Sequence, residues 1–197
     1  MDIISRAKGI LLNPKSEWET VKNESATVQE LFTKYAVILA AIPAVAGFIG
    51  FSVFGMNIGL GSFRMPVGPG IGHAVLSYIL GLAGVYLVGY IIDWLAPTFG
   101  TQKDLVQSMK VAVYSSTASW VGGIFKIIPV LGFITMLAGI YGLYLLYTGL
   151  RTVKEVPQDR MIGYFIAIIV VTIVVYMVIG AITSSVFIGS HMMQQGM

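Results

Sequence analysis

The sequence has no cysteine and very little charge. Without cysteine the chain can form no disulfide, thiolate metal site or thiol nucleophile. Only 11% of its 197 residues are charged, whereas 56% are hydrophobic. Soluble domains carry roughly 25% charged residues, because their whole surface faces water. The composition therefore indicates a membrane protein. The formal charge of +3 comes with no Lys/Arg cluster, so no nucleic-acid partner is expected.

Charge is missing altogether from five long stretches. A helix needs about 20 apolar residues to cross a hydrocarbon core roughly 30 Å thick. Four of the stretches have that length, and the third reaches it when it is extended back to Leu105. The stretches are Tyr35–Phe63, Met65–Ile92, Val111–Phe125, Ile127–Leu150 and Met161–Met197. We predict an all-α integral membrane protein, a bundle of five transmembrane helices with spans at about 35–55, 72–94, 105–125, 129–150 and 161–186.

The basic residues predict the orientation of these spans. Ten of the twelve Lys and Arg residues lie in the amino-terminal segment and in the second and fourth connections. The opposite side receives only Arg64 and Lys126. By the positive-inside rule, the amino terminus is cytoplasmic and the carboxyl terminus external, in a plasma (inner) membrane crossed several times. If the third segment instead dipped in and returned, the distribution would be a less asymmetric eight to four.

The sequence predicts three parts of the chain. Residues 1–34 form a cytoplasmic or interfacial segment, 35–188 the membrane domain and 189–197 a loose external tail. Two short amphipathic helices are expected in the first part, lying at the membrane interface, the second presenting Trp18 and Val21. Capping boxes are predicted at Ser16 and at Thr27. Residues 55–72, rich in glycine, are expected to form an irregular external loop.

The sequence does not support catalysis. No ionisable residue falls near a predicted bilayer midplane, where transporters of protons or metals usually carry one. His73 and His191 have no ligand neighbours at metal-binding spacing, and no hydroxyl has a His–carboxylate pair at hand. We therefore expect no enzyme activity, no metal and no cofactor. Asp93, at the cytoplasmic edge of the second span, is interpreted as an interfacial end marker.

The third span carries one polar-to-small face, here called the third-span stripe. Its members recur at helical spacing: Asp104, Ser108, Ser115, Ser119, Gly122 and Lys126. Such a face meets other helices or a water-filled path rather than lipid. We favour close packing against the small residues of the first two spans (Ala40, Ala44, Gly47, Ser77, Gly81, Gly84), because hydroxyls in membrane helices commonly serve packing. A route for a solute or ion is the alternative.

Five short strings, in a fixed order, resemble the Yip family, which is named for eukaryotic members that interact with Ypt/Rab GTPases. They lie in residues 93–100, 114–120, 128–132, 140–150 and 156–160. The resemblance covers roughly residues 30–188. The matching positions that we single out, as family-motif or helix-packing residues, are Asp93, Pro97, Phe99, Gly100, Tyr114, Ser115, Ser119, Pro129, Gly132, Tyr141, Tyr144 and Gly149.

The resemblance implies a five-span protein with a cytoplasmic amino terminus, as the charge distribution does. Only about 34 residues precede the first span. This short amino-terminal segment is similar to that of the prokaryotic branch of the family, where no Rab GTPase partner is expected. The implied function is non-enzymatic: organising or binding membrane partners or lipid. Homo- or hetero-oligomers are expected through the Gly/Ala/Ser stripes. The alternative function is a small-solute or ion transporter or channel lined by the third-span stripe.

Overall fold

The structure, a computed structural model, describes residues 2–57 and 62–195. Side chains are described for all of these except 56–57, 62–63, 129 and 186–195. The described chain is helical apart from loops and a short antiparallel pair, β1 (Met56–Asn57) and β2 (Ser62–Phe63), with Met56 opposite Phe63. The α-helices are α1 Ile3–Leu12, α2 Pro14–Asn23, α3 Val28–Leu31, α4 Val37–Ile49, α5 Val67–Leu95, α6 Leu105–Ser115, α7 Thr117–Gly122, α8 Gly132–Val153 and α9 Gln158–Gln195.

Short turns of other helical types extend several of these elements. π-helical turns at Phe32–Ala36 and Gly50–Phe54 join α3 to α4 and extend α4, and the 3₁₀ turn Ala96–Phe99 extends α5. Further 3₁₀ turns at Gly123–Ile127 and Pro129–Leu131 join α7 to α8. A capping box at Thr27 and Glu30 begins α3, as predicted. The capping box predicted at Ser16 is wrong, because α2 already begins at Pro14, behind Asn13.

Among the described residues, four helical segments are long and apolar enough to cross a membrane. They are Val28–Phe54, Val67–Phe99, Gly132–Val153 and Gln158–Ser185. The predicted third span is divided at Ser116 into α6 and α7, each too short to qualify alone. A multi-pass membrane protein is therefore supported, and the fifth crossing rests on other observations.

The divided segment from α6 to residue 127 runs alongside the first long helix, in the same direction. The Lys110 ammonium lies at the end of α2, 2.6 Å from the Glu24 carbonyl oxygen. Further along, the Tyr35 hydroxyl is 2.8 Å from the Thr117 hydroxyl. Gly123 then lies against Pro43, and the Lys126 backbone lies against Gly50. Contacts thus advance along both segments together, from one end of the bundle to the other.

Each of the two amino-terminal helices packs one face into the protein. Ile10 of α1 and both Trp18 and Val21 of α2 have no exposed surface. The prediction that α2 presents Trp18 and Val21 to the membrane interface is therefore wrong, because both side chains lie in the core cluster with residues of α6 and α8. Ile4 and Leu12 of α1 remain exposed. We call the end of the bundle that carries α1 and α2 the amino-terminal side.

Two predicted irregular segments are more helical than expected. α5 begins at Val67, so residues 67–72 of the predicted loop form its first turns. Pro66 and Pro69 do not prevent this, because the first helical turn makes no use of their missing N–H groups. Residues 58–61 of that loop lie outside the described residues. At the other end of the chain, α9 continues to Gln195, through most of the predicted loose tail.

Candidate functional site

A cavity of about 490 Å³ lies inside the bundle, and a neighbouring one of about 520 Å³ lies nearer the side opposite the amino terminus. Residues from α4, α5, α6–α7, α8 and α9 line the first cavity. The two cavities share the lining residues Pro43, Ala44, Ser77, Lys126 and Thr135. Their walls are mostly apolar, with scattered hydroxyl groups.

The cavity ends at a packed floor on the amino-terminal side. Each helical segment around the cavity carries a side chain with no exposed surface, one turn closer to the amino-terminal side than a lining residue. These floor residues are Ala36, Ile92, Met109, Leu150 and Ile168. Because their side chains fill the interior, the described part of the chain leaves no continuous opening between the cavity and the amino-terminal side.

The third-span stripe divides into two parts at this floor. Below it, Asp104 caps the start of α6 and the Ser108 hydroxyl is fully buried. Above it, Ser115, Ser119 and Lys126 line the first cavity. The close packing that we favoured is therefore wrong for Ala40, Ala44, Ser77 and Gly81, which face the stripe across an open volume, whereas Gly47 does lie against the Lys126 side chain. Gly122 does pack closely, against Ala138 of α8, and Gly84 packs against Ile179 of α9.

Two glycines bring the chain around Lys126 close to the first long helix. A Cβ atom on Gly123 would lie 3.1 Å from the Pro43 Cα atom. A Cβ atom on Gly50 would lie 3.1 Å from the Lys126 carbonyl carbon and 3.2 Å from the Ile127 carbonyl oxygen. Larger residues at either position would push the segments apart. This close approach lays the Lys126 side chain along Gly47, where it lines both cavities.

Below the floor, Asp93 joins three segments, so its interpretation as an end marker is wrong. Its Oδ1 atom accepts hydrogen bonds from the Asp104 backbone N–H at 2.7 Å and the Ser108 hydroxyl at 3.2 Å. The Lys154 ammonium lies 3.9 Å from the same atom and donates to the Gln102 carbonyl oxygen at 2.8 Å. Burial lowers the pKa of Lys154, while the nearby Asp93 and Asp104 charges raise it.

The other motif residues of the first string hold the turn beside Asp93. Phe99 stacks on Tyr164 with ring centroids 4.8 Å apart. Gly100 has φ of +74°, a left-handed conformation that favours glycine, and packs against Pro157 and Arg160. Pro97 lies within the 3₁₀ turn Ala96–Phe99. The first and last strings of the family resemblance therefore meet in space.

A second group of motif residues holds the amino-terminal helices. Tyr114 is buried, and its ring packs edge-on against the Trp18 ring, with the two ring centroids 6.3 Å apart. The Arg6 guanidinium lies over the Tyr114 ring, 5.6 Å from its centroid. Tyr141 donates a hydrogen bond of 2.8 Å to the Leu11 carbonyl oxygen. Gly149 faces the Trp18 ring so closely that a Cβ atom there would lie 2.8 Å from it.

The remaining motif residues do not share one location. Gly132 lines the second cavity at the start of α8. Tyr144 is exposed, and its ring is 5.6 Å from that of Tyr141. Pro129 begins a 3₁₀ turn, and its side chain lies outside the described part. Chemically, the arrangement offers hydroxyls and one ammonium in an apolar space. Within the described residues no group of three His, Cys, Asp or Glu side chains is placed to hold a metal ion.

Sequence reasoning missed three buried cations. The buried Lys110 ammonium donates hydrogen bonds to the Val21 and Glu24 carbonyl oxygens at the end of α2. Lys154 was used only as one of the basic residues that predict the orientation of the spans, although its side chain is 2% exposed. Arg6 forms ion pairs with Glu17 and Glu24. The available signal was the position of Lys110 in the middle of α6 rather than at either of its ends.

The chain is similar to known membrane proteins over most of its length. The Yip1 domain matches residues 8–180 of the chain. Two curated relatives, the inner membrane proteins YohC of Escherichia coli K12 and of Escherichia coli O6:H1 strain CFT073, are each 26% identical over 184 residues. The alignment covers 91% of this chain and 94% of each relative. No solved structure gives a significant match.

Proposed function

The chain belongs to the Yip1-domain family, and from that premise we propose that it is a non-enzymatic inner-membrane protein that binds lipid inside its helix bundle. The observation that carries the proposal is the mostly apolar cavity of about 490 Å³, closed on one side by the packed floor. Ligand sites commonly have volumes of roughly 300–1,000 Å³ and walls of this apolar kind with a few polar groups. In a membrane, the apolar ligand available everywhere is lipid.

The test fills the cavity without disturbing the backbone. A Cβ atom added to Gly81 or Gly139 would have no neighbour within 4 Å, and both residues line the cavity. Gly81→Leu and Gly139→Leu should therefore reduce the lipid that stays bound to the purified protein in native mass spectrometry. Gly180→Leu is the matched control, because Gly180 is equally unobstructed but lies away from the cavity. Equal lipid retention by all three variants would refute the proposal.

We also propose five crossings, with the amino terminus cytoplasmic and the carboxyl terminus external. The parallel course of residues 105–127 and the first long helix supports a third crossing, although α6 and α7 are individually short. The basic residues support the orientation. Reporters active on only one side of the membrane should give opposite signals when fused to the two ends. The same signal from both ends would require an even number of crossings.

Oligomer formation stays a proposal and needs a different surface from the one expected. Ala40, Ala44, Ser77 and Gly81 line the interior cavity, so they are not available to a second copy. Any homo- or hetero-oligomer would use lipid-facing residues such as those of α9, where Ile166, Val170 and Met177 are exposed. Crosslinking in native membranes should then trap a dimer through cysteines placed on α9, and not through cysteines at Ala44 or Ser77.

Transport is the second candidate function, because Ser115 and Ser119 line the cavity. The packed floor argues against an open channel, so transport would need the floor residues to separate. Flux of small solutes from liposomes containing the protein, lost in the Ser115→Leu, Ser119→Leu double variant, would favour this alternative over lipid binding.

A further inference from the structure

Negative side chains occur on only one side of the bundle. All nine Asp and Glu residues belong to the amino-terminal segment or to the two connections assigned to the same side: Asp2, Glu17, Glu19, Glu24, Glu30, Asp93, Asp104, Glu155 and Asp159. The opposite half carries Arg64, Lys126 and His73. A cation in that half therefore has no carboxylate side chain with which to pair.

Lys126 lies beside the cavity, in the half of the bundle that has no acidic side chain. Its ammonium forms no hydrogen bond or ion pair with any side chain or carbonyl group that the structure describes. Lys22, Lys110 and Lys154, the lysines with a buried or half-buried side chain, each bind a carboxylate or carbonyl oxygen. Lys126 is exposed on the bundle surface and also lines both cavities, without an oxygen partner among the described residues. An ammonium at the edge of an apolar cavity attracts an anion, because hydrocarbon and apolar side chains rather than water surround much of it in a membrane.

We infer that Lys126 binds the phosphate of an anionic phospholipid whose acyl chain occupies the cavity. The inference rests on the proposed lipid binding and adds the chemistry of the head group. His73, Ser77 and Thr135 line the second cavity together with Lys126 and supply further polar groups at the same level of the bundle. The apolar first cavity continues inward from this point and ends at the floor residues, which suits the chain of a lipid rather than a polar solute.

Charge complementarity selects a net anionic lipid over a zwitterionic one. Both carry a phosphate that Lys126 could contact, but the zwitterionic head group also carries an ammonium. Since no carboxylate side chain exists on this side, that ammonium would be placed near Lys126 and His73 with nothing to neutralise it. Phosphatidylglycerol, with its phosphate and hydroxyl groups, meets no such repulsion.

The test measures lipid binding to the full-length protein by native mass spectrometry, with phosphatidylglycerol and phosphatidylethanolamine offered separately. Wild-type protein should prefer phosphatidylglycerol. Lys126→Gln should weaken phosphatidylglycerol binding about tenfold, as expected for the loss of one charge-assisted contact, and should leave phosphatidylethanolamine binding almost unchanged. Lys126→Arg should keep the preference, which separates loss of charge from loss of folding. Lys103→Gln is the matched control, since Lys103 is exposed on the amino-terminal side.

The outcomes distinguish this inference from the proposed function. If lipid is retained without any preference, or if Lys126→Gln and Lys103→Gln behave alike, the head-group assignment is overturned while lipid binding stands. If no lipid is retained, both fail. A competition arm with inorganic phosphate addresses the other source of the same anion. Displacement of phosphatidylglycerol by millimolar phosphate, with no dependence on Gly81→Leu, would mean that the site holds a free anion and not a lipid.

Discussion

At the scale of single residues, Asp93 shows how one carboxylate fixes the connections on the amino-terminal side. It accepts hydrogen bonds from the chain at the start of α6 and lies beside the Lys154 ammonium, which follows α8. Lys154 in turn binds the carbonyl oxygen of Gln102. Three segments distant in sequence are thus joined through one buried ion pair and its hydrogen bonds. Such a network stabilises only when all of its members are satisfied.

Asp93→Asn should therefore be strongly destabilising. The amide keeps a hydrogen-bond acceptor but removes the charge, and leaves the 2%-exposed Lys154 side chain without its ion-pair partner. Breaking a buried pair costs about 3–5 kcal/mol of unfolding free energy. Thermal unfolding in detergent should show a clear fall in the transition temperature. Lys154→Met in the same chain should restore part of the loss, because the unpaired charge is then gone.

The matched control is Asp159→Asn. Asp159 and Arg160 form an ion pair at 3.8 Å, but the Asp159 side chain is 77% exposed. Exposed pairs contribute about 0–1 kcal/mol, so this variant should unfold almost as the wild type does. Equal destabilisation by the two substitutions would show that Asp93 is not the centre of a buried network.

At the scale of elements, α2 is held against α8 by the contact of Trp18 with Gly149. A Cβ atom on Gly149 would lie 2.8–3.1 Å from three atoms of the indole ring, closer than carbon atoms normally approach. The ring has little freedom to move, because it has no exposed surface and also contacts Tyr114. A methyl group at this position must therefore displace α2 as a whole.

Gly149→Ala should lower the unfolding free energy by about 1–3 kcal/mol, the usual effect of overpacking a core. Hydrogen exchange should rise in α2 before it rises elsewhere. Gly139→Ala, on the same helix, is the control: a Cβ atom there meets nothing within 4 Å, so the better helix propensity of alanine should leave stability equal or slightly higher. Protection of α2 that is unchanged in Gly149→Ala would exclude this contact as the one that holds the helix.

Some of the helices and their boundaries could be predicted from the sequence, and others could not. The long apolar stretches predicted four of the helices because the bilayer sets their minimum length, and Thr27 with Glu30 marked the start of α3 by local hydrogen bonding. The division of the third segment at Ser116 carried no such mark, since no glycine or proline stands there. The docking of α1 and α2 was also missed, because an amphipathic face has the same pattern whether it meets lipid or protein.

At the scale of the whole molecule, the bundle is closely packed on the amino-terminal side and contains the cavities on the other side. Its largest fully buried side chains include Trp18, Tyr35 and Tyr164, which lie below the cavity, whereas the cavity walls carry Ser, Gly and Ala at many positions. Helical periodicity was enough to align Ser115, Ser119 and Lys126 on one face. Whether facing helices close on such a face depends on the summed side-chain volumes of five helices, which no local pattern records.

The absence of cysteine makes this asymmetry directly testable, because each single-cysteine variant carries only the thiol introduced. Thr135 lines both cavities, while Ser108 is fully buried below the floor with its hydroxyl hydrogen-bonded to the Asp93 carboxylate. A membrane-impermeant thiol reagent added outside should react with Thr135→Cys and leave Ser108→Cys unmodified. Both proteins must first show wild-type unfolding temperatures, so that labelling reports access and not loss of structure. If Ser108→Cys reacts from the outside as fast as Thr135→Cys, the floor opens in the membrane. The cavity would then be one half of a pathway, and transport would replace lipid binding as the better account of this protein.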